Sequence, residues 1–174
     1  MVHTDARRVV VGVSGSSGSL QALRVAVEQA RALGATLAPV IVWESPGGDG
    51  AARPYPRYVT DAWADAAEAR LLGAFDQGLG GPPTGLLTEP HVIRGRTGHV
   101  LVAIAGGAHD LLVIGKGSPG VLRRAACGRV ARHCLTHATC PVITVPPSTL
   151  AADAGRTLRG LRLRRAPRDG SALR

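Results

Sequence analysis

Short valine-rich runs alternate with longer helical stretches along most of this chain, and that alternation limits its folds more than any other feature. "RRVVVGVSG" at 7–15 is an apolar run too short for a helix and ended by glycine and serine, as a buried strand is. "ATLAPVIVWE" at 35–44, "LLVIG" at 111–115 and "PVITV" at 141–145 repeat the pattern. "LLTEPHVIRG" at 86–95 is a weaker strand, because Pro90 has no N–H for a ladder, so an edge position or a late start is expected.

Between these runs the period changes. In "SLQALRVAVEQARALG", Leu20, Leu23, Val27 and Ala30 recur at helical spacing, and Gly34 is a natural stop. "TDAWADAAEARLLGAFDQG" reads as a helix with Thr60 as N-cap and Trp63, Leu71, Leu72 and Phe75 on its inner side. It follows a proline- and glycine-rich loop from Ser45 to Tyr58. "TGHVLVAIAGGAHD" holds a short helix and "GRVARHCLTHA" another. Five strands and four helices in alternation predict an α/β fold: a five-stranded, parallel, doubly wound sheet with helices on both faces. Such sheets bind ligands at the carboxyl ends of strands, where the winding reverses. The glycine-serine loops after strands one and four are therefore the candidate crevice.

The chain divides into an α/β domain at 1–147 and a basic tail at 148–174. The tail holds seven arginines against Asp153 and Asp169, or +5 of the net +9. Its composition predicts a solvated, flexible segment. Phosphate contacts by such a tail are weak and non-specific, and no nucleic-acid-binding signature accompanies it, so nucleic acid is not an expected partner. Aromatic residues at 3% leave no stacking platform for single strands. No apolar run approaches the ~20 residues of a membrane span. The start "MVHTDARR" leads straight into a strand, so a cytoplasmic protein with reduced thiols is expected.

The first loop, "GVSGSSGS" at 12–19, has small residues before a helix start, a form that can gather N–H groups around an anion. The same residues also make an ordinary serine-capped turn. It has neither the Lys-Ser/Thr of a Walker A loop nor the spacing of a dinucleotide fingerprint. No GxSxG elbow is present, and no catalytic constellation emerges. "CGRVARHCLTHATC" pairs Cys127 with Cys134 and His133 with His137, but on different helix faces and without CxxC. Packing explains them better than a metal. Trp43 at the end of strand two can flank a planar ligand or pack at the rim.

The stretches "RRVVVGVSGSSGSLQALRVAV", "DLLVIGKGSPG" and "CGRVARHCLTHATCPVITVP" make residues 7–147 resemble the universal stress protein family. The resemblance implies strand order 3-2-1-4-5, a role in stress response, and homodimers paired through the last strand, Val142, Ile143, Thr144 and Val145. Nucleotide-binding members carry Gly-x2-Gly-x9-Gly-Ser/Thr after strand four. Gly115 and Gly128 match its first and third glycines, Ser118 replaces the second, and Arg129 replaces the hydroxyl residue. Ser14 stands where binding members tend to have an acid, and Val13 and Val42 match positions on the base-binding side.

The nucleotide or anion site implied is Val13, Ser14, Val42, Gly115, Lys116, Gly117, Ser118, Gly128, Arg129 and Val130, with a weakened motif for ATP with magnesium or for another adenine nucleotide. Arg129 can grip a phosphate or carboxylate with its fork, or occupy the space of the γ-phosphate. Lys116, Arg123 and Arg124 add positive charge to the same loop. Two other functions remain open on these residues. One is a fold repurposed to bind or convert an anionic metabolite. The other is a dimeric interaction protein that binds no nucleotide.

Overall fold

The computed structural model describes residues 7–46, 55–116 and 128–148 of the chain. Gly117, Ser118, Arg123, Arg124, Cys127 and the tail beyond Ser148 lie outside the described residues. In chain order the elements are β1 (Arg8–Val13), α1 (Ser17–Leu33), β2 (Thr36–Trp43), α2 (Arg57–Leu79), β3 (His91–Arg94), α3 (Thr97–Ile104), β4 (Leu111–Gly115), α4 (Arg129–His137) and β5 (Val142–Val145). The strands form one parallel sheet in the order β3-β2-β1-β4-β5. The predicted fold class and strand order are those observed. Among the described residues no helix is long and apolar enough to cross a membrane.

The period of two along each strand sorts the core into two layers. Val9, Val11 and Val13 of β1 point to the face covered by α1 and α2, where Leu23, Val27, Leu71 and Phe75 are buried. Val10 points to the other face, with Leu112 and Ile114 of β4, Leu101 of α3, and Ala131 and Cys134 of α4. A run such as "VVV" is thus apolar throughout because both its faces are covered.

Two prolines meet at one gap in the sheet. Pro90 precedes β3, which is both an edge strand and a late starter, as expected. Leu37 N–H donates across to Leu87 O, so position 39, two residues on, also faces β3. Pro39 has no N–H to offer there. The β2–β3 ladder accordingly bridges at Leu37–Thr88 and resumes at Val40–His91.

Helix α1 is capped as the sequence suggests. Ser16 accepts from Ser19 N–H, and Gly34 closes the other end in the left-handed region with φ 58°. Helix α2 departs from expectation. It begins at Arg57 behind Pro56, and Thr60 lies inside it, where its hydroxyl donates to Arg57 O. Proline is a good opener because its φ is already helical and its missing N–H is not needed there. Leu72 is 55% exposed rather than inward, whereas Leu71 and Phe75 are buried.

At the amino end of the sheet, Asp110 precedes β4 with only 4% of its surface exposed. Arg8 of β1 meets it through two nitrogens, Nε at 3.2 Å and Nη2 at 2.6 Å. The same Nη2 donates to Ile104 O at the last turn of α3 (2.9 Å), and Gly107 N–H donates to the carboxylate (2.9 Å). Burial pushes the Asp110 carboxyl up, but the bonds from Arg8 and Gly107 outweigh it and hold the pKa below the ordinary value.

Candidate functional site

The winding reverses between β1 and β4, and a cavity of about 250 Å³ opens there, at the carboxyl ends of both strands. Gly12, Val13 and Ser14 of β1 and its exit form one wall, and Ser16 and Ser19 of the first turn of α1 continue it. Ile114 and Gly115 come from the end of β4. Thr97 and Leu101 of α3 face Gly128, Arg129, Val130 and Ala131 at the start of α4. The walls are mostly apolar, and among the described residues Arg129 is the one charged side chain in them.

The first loop turns its polar groups on itself. Ser14 N–H donates to Ser19 Oγ (3.2 Å), and Ser19 Oγ donates to Ser16 O (2.9 Å). Ser16 Oγ accepts from Ser19 N–H (3.3 Å) and lies 3.1 Å from Ser14 Oγ. This is the serine-capped turn, and its hydroxyls hold the loop in shape. The start of α4 is built differently. Its N-cap is Gly128, no side chain caps it, and its first turn has no acid. Among the described residues its leading N–H groups have no side-chain acceptor.

Arg129 stands in that first turn, exposed at the mouth of the cavity. A cation there opposes the helix dipole. No ion pair relieves it among the described residues, where Arg8–Asp110 is the salt bridge found. Nor does the sequence from Lys116 to His137 contain any Asp or Glu.

Gly115 does a job that the loop motif alone does not reveal. A Cβ at Gly115 would strike the Gly18 carbonyl, and one at Gly18 would strike the Lys116 carbonyl. The end of β4 and the first turn of α1 thus touch backbone to backbone, which only glycines permit. This contact sets the width of the cavity floor.

Of the residues expected from sequence, Val13, Ser14, Gly115, Gly128, Arg129 and Val130 come together around the cavity. Val42 does not line it: it sits on β2 opposite Ile93 and packs against the α3–α4 layer. Lys116 also stands outside the lining, and its N–H donates to Val145 O (2.7 Å). Gly117 and Ser118 lie outside the described residues. Trp43 goes to packing. Its ring centroid is 6.2 Å from that of Trp63, which Tyr55 meets edge-on at 4.9 Å, and the Arg94 guanidinium lies 5.7 Å from the Trp43 ring.

The sequence reading missed Thr97 and Leu101, and held Ser16 and Ser19 only as part of the 12–19 loop. Thr97 opens a helix after the edge strand, and the rule that ligands meet at the sheet's carboxyl end also covers that helix start. Cys134 is fully buried, and burial beside Cys140 pushes its thiol up to about 11, so it is no nucleophile at neutral pH. Among the described residues no three His, Cys, Asp or Glu side chains are placed to hold a metal ion.

Comparison with known proteins places this geometry in context. Residues 6–146 match the model of the universal stress protein family. A solved universal stress protein in complex with cAMP is 25% identical, with a TM-score of 0.53, over 82% of this chain and 98% of its own. A family protein from Arabidopsis thaliana with AMP bound is 21% identical, with a TM-score of 0.54, over 82% of this chain and 93% of its own. One from Archaeoglobus fulgidus in complex with dAMP is 18% identical, with a TM-score of 0.50, over 80% and 97%. No curated protein sequence matches the chain.

Proposed function

The chain belongs to the universal stress protein family, and from that premise we propose that its β1–β4 cavity binds an adenine nucleotide. The observation that carries this reading is the cavity itself: a mostly apolar pocket at the switch point, with Arg129, unpaired among the described residues, at the start of α4. The relatives in complex with cAMP, dAMP and AMP support it. In this reading the base and sugar lie against Val13, Leu101, Ile114 and Val130. The phosphate meets Arg129 and the first N–H groups of α4, which answer each other's electrostatics.

The lining offers magnesium no carboxylate among the described residues, so the proposal is for the nucleotide without a protein-held metal. The role is that of a binding or regulatory module rather than a catalyst. Pairing of two copies along β5 belongs to the same reading. It is supported by the position of β5 at the open edge of the sheet, with Val142, Ile143 and Thr144 only partly buried.

Calorimetric titration with AMP, cAMP and ATP tests the binding, and light scattering on the same preparation tests the dimer. Wild type is expected to bind AMP, and Arg129→Ser to weaken it by about tenfold, the loss of one charge-assisted contact. If Arg129→Ser instead strengthens ATP binding, the arginine occupies the phosphate space. If no nucleotide releases heat or shifts the melting temperature, the binding proposal fails. A monomer in light scattering removes the dimer.

A further inference from the structure

Three histidines meet outside the cavity, on the two helices that form one of its walls. His99 of α3 lies 4.2 Å from His133 of α4, centroid to centroid, and His133 lies 4.2 Å from His137. The second pair is nearly parallel, at 17°, and His137 Nδ1 is 2.9 Å from His133 O, which fixes that ring. His133 packs directly on Gly98, where a Cβ would come within 2.8 Å of its ring. Cys134 Sγ, next in the chain, reaches Gly98 O at 4.0 Å. This is how α3 and α4 touch.

Among the described residues, the elements packed around these rings bring no free negative charge to balance a proton on them. Helix α3 and its N-cap hold Arg96 and His99; α4 holds Arg129, Arg132, His133 and His137; neither has an Asp or Glu. The strands against them are β1, β2, β4 and β5, and β4, Leu111–Gly115, has no ionisable side chain. Strands β2 and β5 have no ionisable side chain, and Arg8 of β1 is bound to Asp110. Burial and the two neighbouring imidazoles hold His133 below the ordinary histidine value.

We propose that the His99–His133–His137 stack is a proton-operated contact between α3 and α4 that loosens the cavity wall as pH falls below neutral. One turn before His133 stand Arg129 and Val130, and Thr97 and Leu101 flank His99; all four line the cavity. Arg8 holds the far end of α3 through Ile104 O. Repulsion at the stack therefore acts on the cavity end of the helix pair. The sign follows from the histidine whose pKa is lowered. The packed state prefers neutral His133, so the contact is intact above the ordinary histidine pKa of ~6.5 and is lost as pH falls through the depressed value. The inference needs no ligand and stands or falls apart from nucleotide binding.

Amide hydrogen exchange of 97–101 and 130–134, corrected for the intrinsic pH effect, reads the contact. Wild type is expected to lose protection several-fold between pH 7.5 and 5.5, while α1 keeps its own. His99→Gln/His137→Gln, at two exposed positions, is expected to flatten that loss. It also moves the NMR titration midpoint of His133 up toward the ordinary value. His133→Phe keeps a ring on Gly98 without the proton and is expected to be flat as well. Unchanged protection across this pH range in wild type, or an equal loss in the double variant, overturns the proposal.

Discussion

The two ends of the sheet handle an arginine in opposite ways. At the amino end Arg8 is clamped by a buried carboxylate, and the pair also ties down the last turn of α3. At the carboxyl end Arg129 stands at a helix start that disfavours it, without a carboxylate within its own stretch of chain. At the amino end the charges of this pair are matched within the chain. The carboxyl end combines an apolar cavity with a helix start and a cation that find no side-chain partner among the described residues. Charge matched inside the chain marks scaffold, and charge left unmatched among the described residues marks a candidate site.

The largest expected effect comes from removing the clamp. Asp110→Ala leaves Arg8 with a lost partner and the Gly107 N–H with a lost acceptor. Arg8 keeps a third of its side chain in water, so the cost is set at about 2–3 kcal/mol, below that of a fully buried pair. Urea unfolding should show a lower midpoint with an unchanged slope. An unchanged midpoint would mean that the clamp is ornamental. Acid probes the same pair in the wild type. Because the Asp110 pKa is depressed, its contribution is present above the ordinary carboxylate value of ~3.9 and disappears as pH falls through the native value.

A smaller loss is expected at the cavity floor, where β4 ends. Gly115→Ala places a methyl against the Gly18 carbonyl, and backbone must shift to admit it. Overpacking of this kind costs about 1–3 kcal/mol. The variant should unfold earlier and also lose any ligand of the cavity. Full stability in Gly115→Ala would show that the close approach of α1 is not a constraint. A binding defect at this glycine is therefore no evidence of phosphate contact unless stability is measured beside it.

The two ends also differ in how much of them the sequence shows. Valine-rich runs and helical periods reveal the layers, because burial on both faces of a strand leaves a continuous apolar signal. Gly115, Gly128 and Arg129 were picked out by resemblance to the loop motif of the family's nucleotide-binding members, which is a local pattern. Arg8 and Asp110 are far apart in the chain, and nothing in either neighbourhood announces the other. Thr97 and Leu101 reach the cavity for the same long-range reason. His99 completes the histidine stack only because Gly98 lets α4 approach, so the spacing of His133 and His137 showed a pair and not a triad. Thr60 misled because a serine or threonine cap was sought where Pro56 already supplied the helical start.

The smallest effect divides the ends most sharply. In the ligand-free protein, Arg129→Ser removes a cation from a helix N-terminus and costs no ion pair with any described residue. The expected result is a gain of about 0.3–1 kcal/mol at low salt. An equivalent loss at Arg8 would be destabilising, because its charge is matched. The gain should shrink as salt is added, since the dipole interaction is screened. It should shrink too when AMP is added in excess, because the nucleotide is expected to stabilise wild type more than the variant. Thermal melts of both proteins, with and without salt and AMP, check each step. A loss in the ligand-free variant would mean that Arg129 already has a partner, and the carboxyl end would then be scaffold like the amino end.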